Sequence, residues 1–145
     1  MLDQDALLPW IRLAGAGQLA LAAGSFAIPV VLRWRDGLAP LPVLLRQMFW
    51  VYSGYIWATN LAFGLVSTFG SELLLNGSPL ATCVLGYIAL YWTARIAIQL
   101  LYFDLSELPR TRFHRVCQVV LEALFWGVAL VYGAAFYASL TGSLA

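Results

Sequence analysis

Two polar pairs interrupt long apolar stretches of this sequence, and they are the residues best placed to do chemistry. Arg95 and Gln99 lie four apart, and so do Gln118 and Glu122. That spacing puts each pair on one face of a helix. Counted outward from a turn expected at Leu108-Pro109, Arg95 stands as far before the turn as Glu122 after it, and Gln99 matches Gln118 in the same way. Two antiparallel helices would therefore bring them together as rungs of a ladder, with Tyr91 and Trp126 as an aromatic third rung.

Energetics favour the pairing. An arginine at the centre of a membrane span costs about 2.5–3.5 kcal/mol on insertion scales, and an acidic residue costs a similar amount, so each prefers a partner or the protein interior. A buried ladder of this kind can fix helix register. It can also carry a proton on Glu122, or hold an anion or a lipid phosphate on Arg95.

Secondary polar contacts are expected from Gln18 and Asn60, each costly to leave unpaired in hydrocarbon and placed symmetrically about the 33–41 connection. The first apolar segment carries small residues at Ala16, Ala20 and Gly24, a spacing that lets helices approach closely in lipid, against the second segment or a neighbouring chain. His114 is the single histidine and falls beside Arg112 and Arg115, where a solvated interfacial role is expected. One histidine excludes a bis-histidine haem within one chain, and no Cys or His cluster has metal-site spacing. No nucleophile and base set, paired carboxylates within one span or glycine-rich phosphate loop is present. The reading is therefore of no catalytic constellation, cofactor or metal, and any enzymatic activity would have to rest on Arg95, Glu122 and His114 alone. Cys83 and Cys117 would lie roughly 25 Å apart along a helical hairpin, too far for a disulfide, and read as buried thiols.

The elements that must position these groups are membrane helices. Of 145 residues, 62% are hydrophobic and 10% charged, with a mean hydropathy of +0.82, too little polar surface for a water-soluble domain. The net charge of +1, with all eight basic residues arginine, lacks the concentrated basic face of a nucleic-acid binder. Four segments, at about 9–32, 42–69, 79–103 and 112–140, are each long enough to cross a hydrocarbon core of about 30 Å. Proline marks several starts, Ser78-Pro79 most clearly, with serine as the N-cap. Gly142 is a natural stop for the last helix. Pro29 should kink the first segment. Asp3 and Asp5 stand where a signal peptide would be basic, so the first segment is expected to be retained.

The predicted fold is all-α: a single integral membrane four-helix bundle, antiparallel and up-down, with short loops. Arg33, Arg35 and Arg46 gather around the first connection and Arg110, Arg112 and Arg115 around the third, whereas the opposite side has only Arg12. The positive-inside rule then places both termini on the outer side of a bacterial cytoplasmic membrane. Asp104 falls out of phase with the ladder and should pair with the interfacial arginines. Trp10, Trp34 and Trp50 sit near span ends, where indoles favour the headgroup zone. The expected partners are membrane lipids and either protein subunits or further copies of the chain. The function expected first is a structural or accessory subunit of a larger membrane complex. A small oligomeric channel or proton-linked transporter using Glu122 and Arg95 comes next, and a lipid-binding or lipid-modifying protein after that.

Overall fold

The computed structural model describes residues 3–103 and 112–144, with backbone only at 113 and 114. Among these every regular element is helical. Its elements are α1 (Gln4–Gly24), a 3-10 turn (Ser25–Ala27), α2 (Ile28–Val31), α3 (Trp34–Leu38), α4 (Val43–Phe69), α5 (Ser71–Leu74), α6 (Pro79–Leu101) and α7 (Arg112–Leu140).

Local chemistry sets the boundaries. The first helix begins earlier than Pro9, because Asp3 caps it by accepting a bond from the Ala6 N–H at 3.0 Å. Pro29 lacks the N–H that would bond the Ser25 carbonyl, and its ring crowds that carbonyl. The α-helix accordingly gives way to a 3-10 turn at Ser25–Ala27 before resuming at Ile28. The Ser78 hydroxyl caps α6 from outside, accepting from the Ala81 N–H at 3.3 Å, and Pro79 opens that helix. Gly142, at φ +70°, closes α7 with a bond from the Ser143 N–H to the Ala138 carbonyl at 3.0 Å, as a left-handed residue past a helix end does.

Three helical stretches, Gln4–Val31, Pro79–Leu101 and Arg115–Leu140, are long and apolar enough to cross a membrane. The fourth expected span is a continuous helix of 27 residues, yet it is not among them. Arg46, Gln47, Ser53, Thr59, Asn60 and the tyrosines at 52 and 55 lower its hydropathy.

The helices pack chiefly as two pairs, α1 with α4 and α6 with α7, joined by contact between α1 and α7. Contacts within each pair run in opposite chain directions. A Cβ built on Gly15 would meet Thr68 and one built on Gly64 would meet Leu19, while the Trp57 indole donates to the Ala22 carbonyl at 3.0 Å. In the second pair Thr82 bonds Ser139, and Trp92 packs on Phe125 with centroids 5.2 Å apart.

The core is confined to one end. Every fully buried described residue falls within 7–22, 64–96 or 125–144, and none within 23–63 or 97–124. The packed region holds the start of α1, the end of α4, the start of α6 and the end of α7, and is called the termini end below. The other region, bearing Arg33, Arg35, Arg46, Arg112 and Arg115, is the arginine end.

The small residues at Ala16, Ala20 and Gly24 do not form the α1 seam; all three are exposed. The seam lies on the opposite face of the helix, on Ala14, Gly15, Gln18 and Ala22, all buried. A shift of two residues along the helix is a rotation of about 200°, and it turns inward the face that carries Gln18, the polar residue that must be satisfied inside.

Candidate functional site

The principal buried polar site lies at the termini end and draws one side chain from each long helix. Gln18 of α1 is fully buried. Its amide nitrogen donates to the Tyr132 hydroxyl of α7 at 2.7 Å and to the Ala14 carbonyl at 3.4 Å. Its carbonyl oxygen accepts from the Trp92 indole of α6 at 3.2 Å. The Tyr132 hydroxyl in turn donates to Ser67 of α4. Both amide hydrogens and the carbonyl oxygen of Gln18 are thus used without water, which removes the penalty of a buried unpaired amide. Ile11, Leu85, Ile88 and Val128 surround these groups and keep the region apolar.

Nearly two turns further from the centre along α1, Arg12 extends the polar line to the surface. Its Nε donates to Ser71 Oγ and its Nη2 pairs with Glu72 Oε1, both at 3.0 Å. These contacts tie α1 to α5 in the connection after α4. The ion pair is exposed, so its contribution to stability is at most about 1 kcal/mol.

The expected contact between Gln18 and Asn60 is not formed. Gln18 lies too near the termini end, where Ser67 and not Asn60 is the α4 residue at its level. The Asn60 carbonyl oxygen is buried with no hydrogen-bond partner. Tyr91 of α6 lies beside Asn60, packed edge-on against Phe63 with centroids 5.2 Å apart.

The ladder residues do gather along α6 and α7, but not as the rungs expected. The Arg95 guanidinium stacks over the Phe125 ring, 5.6 Å from its centroid, and makes no ion pair with Glu122. Glu122 accepts a bond from Gln118 on its own helix at 3.1 Å. Across the interface it shares a shallow cleft with Gln99, Phe125 and Trp126. The pairing is therefore displaced by about one helical turn, so that Glu122 faces Gln99. Counting from a symmetric turn assumes that the two helices start and stop level with it. Instead α6 ends at Leu101, close to the level of Gln118, and Gln118 turns to Glu122 one turn along its own helix.

Of the interfacial residues expected, Arg33, Arg35, Arg112 and Arg115 are exposed and Arg46 is half-buried. Asp104, Arg110, the turn at Leu108-Pro109 and the His114 side chain lie outside the described residues. Cys83 and Cys117 are both free, Cys83 exposed and Cys117 partly so, which corrects the expectation of buried thiols. A thiol is apolar enough to face lipid as readily as a core. Among the described residues no group of His, Cys, Asp and Glu is arranged to hold a metal.

Sequence reasoning singled out Gln18 but missed Trp92, Tyr132 and Ser67 as its partners. Nothing local separates Tyr132, fully buried, from Tyr137, 65% exposed and five residues on. A periodicity count along α7 was the available signal: Phe125, Val128, Tyr132, Ala135 and Ala138 trace one buried stripe at three- and four-residue steps.

No protein-family model, no curated protein and no solved structure matches this chain.

Proposed function

We propose that this chain crosses a membrane four times as an antiparallel, up-down four-helix bundle with both termini on the outer side of a bacterial cytoplasmic membrane. In that setting it serves as a structural or accessory subunit of a larger membrane complex. The positive-inside rule supports the orientation, since the arginine end carries Arg33, Arg35, Arg46, Arg112 and Arg115 while the termini end carries Arg12, already neutralised by Glu72.

The observation that carries the subunit reading is α4. It is 27 residues long, about 40 Å of helix, and only Gly64 and Ser67 along it are fully buried. Unlike the other three long helices it has no stretch apolar enough to be read as a span by hydropathy, and Tyr52 at 58% and Tyr55 at 68% exposure lie on its open surface. Lipid is a poor neighbour for the mid-helix hydroxyls of Tyr52 and Tyr55, which have no water to bond there, whereas the Thr59 hydroxyl is satisfied by the Tyr55 carbonyl of its own helix. A protein neighbour supplies the missing partners.

Extraction in mild detergent, followed by native electrophoresis and mass spectrometry, tests this directly. The expected result is a stoichiometric assembly that dissociates when Tyr52 and Tyr55 are both replaced by Leu. Recovery of the native chain as a lone protomer overturns the subunit reading. Single-cysteine labelling at 36 and at 76 tests the crossings separately: position 36 should react only from the cytoplasmic side and position 76 only from outside.

The carrier reading draws on one observation, the carboxyl of Glu122 beside Gln99 in a cleft between α6 and α7. It predicts that Glu122→Gln preserves the fold and abolishes flux in reconstituted vesicles.

A further inference from the structure

We infer that the arginine end of the α6 and α7 pair binds the headgroup of a zwitterionic phospholipid with a primary ammonium. Arg95 takes the phosphate and Glu122 the ammonium. The inference rests on the reading of α6 and α7 as membrane crossings.

Arg95 and Glu122 carry opposite charges on adjoining helices, yet they do not pair with each other. The Phe125 ring belongs to both settings: it carries the Arg95 guanidinium at 5.6 Å, and it also lines the cleft that holds Glu122. Both charged residues are half-buried and neither is sealed in the core. A simple anion approaching Arg95 would be repelled by Glu122, and a simple cation at Glu122 by Arg95. A ligand carrying both charges a few bonds apart meets neither repulsion.

The chemistry of the cleft selects further. The Glu122 carboxylate and the Gln99 amide oxygen accept hydrogen bonds, which a primary ammonium donates and a trimethylammonium cannot. Trp126, half exposed beside them, offers a ring face to a cation. Leu130, one turn beyond Trp126 along α7 toward mid-bilayer, is exposed and supplies an apolar surface for an acyl chain. Depth also fits. Arg95 lies less than two turns before the end of α6, about 9 Å along the axis, so its long side chain can reach toward the headgroup layer.

The test is native mass spectrometry of the full chain in nanodiscs made from equal parts phosphatidylethanolamine, phosphatidylglycerol and phosphatidylcholine, with and without millimolar inorganic phosphate. Retention of phosphatidylethanolamine about fivefold above either other lipid is expected, the ratio given by roughly 1 kcal/mol from a partly exposed charge contact. Free phosphate should not displace it. Glu122→Gln should shift the preference to phosphatidylglycerol, and Arg95→Gln should abolish the preference altogether, with helical content unchanged by circular dichroism. If Arg95→Gln does not fold, Arg95→Lys keeps the charge and must keep the preference. Equal retention of the three lipids, displacement by inorganic phosphate, or an unaltered preference in Glu122→Gln overturns the inference while leaving the membrane reading intact. A chain that does not enter nanodiscs overturns both.

Discussion

At the termini end, Gln18 is fully buried and bonded to Tyr132, Trp92 and its own helix. At the arginine end, Glu122 is half-buried and bonded to Gln118 one turn away along α7. The first arrangement needs α1, α4, α6 and α7 all in register. The second needs only α7. Polar groups that join helices end up where the helices converge, and groups satisfied along a single helix are left where the helices part. The teaching of this contrast is that a polar residue in lipid reports a need for a partner, and not where the partner is.

Backbone approach follows the same division. A side chain added at Gly15 would come within 2.8 Å of the Thr68 backbone nitrogen, and nothing lies within 4 Å of an added Cβ at Gly54. The sharpest way to break the comparison is therefore Gly15→Val. It should destabilise the fold by about 3 kcal/mol, since backbone cannot yield as a flexible side chain can, whereas Gly54→Ala should change stability by less than about 1 kcal/mol. Unfolding of the purified protein by sodium dodecyl sulfate titration compares the two; equal effects would erase the distinction between the ends.

Gln18→Leu should cost about 2 kcal/mol in the same titration, because it strands the Trp92 indole N–H and removes a donor to Tyr132. Tyr132→Phe should cost about 1 kcal/mol, with Gln18 and Ser67 each losing one bond. The double variant should cost less than the two single costs added, since both delete the same Gln18–Tyr132 bond; strict additivity would show that the network does not act as a unit. The smallest effect is expected at the arginine end. Glu122→Gln retains an acceptor for Gln118 and should alter stability by less than about 0.5 kcal/mol. A loss as large as that of Gln18→Leu would mean that Glu122 is a member of the core.

Much of the fold was legible from the chain alone. The Ser78-Pro79 start of α6, the Gly142 stop of α7 and the disruption at Pro29 are all local, set by capping, a positive φ or a missing N–H. The sites were less legible. Gln18 was recognisable as a group in need of a partner, but Asn60 looked equally suitable, and the ladder of Arg95 with Glu122 followed from a symmetric turn that the helices do not respect. The second apolar segment shows the same limit, because α4 forms as a helix without being apolar enough to be read as a span from length and hydropathy.

What the sequence determined by itself was composition and punctuation: a chain too apolar for water, divided into four long helices at residues whose backbone chemistry allows no continuation. What only the tertiary structure decided was rotation and axial offset, which put Gln18, Ser67, Trp92 and Tyr132 at one point and moved Glu122 a turn away from Arg95. Helix formation depends on bonds four residues apart. The rotation and offset of one helix against another depend on every side chain along the contact at once, and no short stretch of sequence contains that sum.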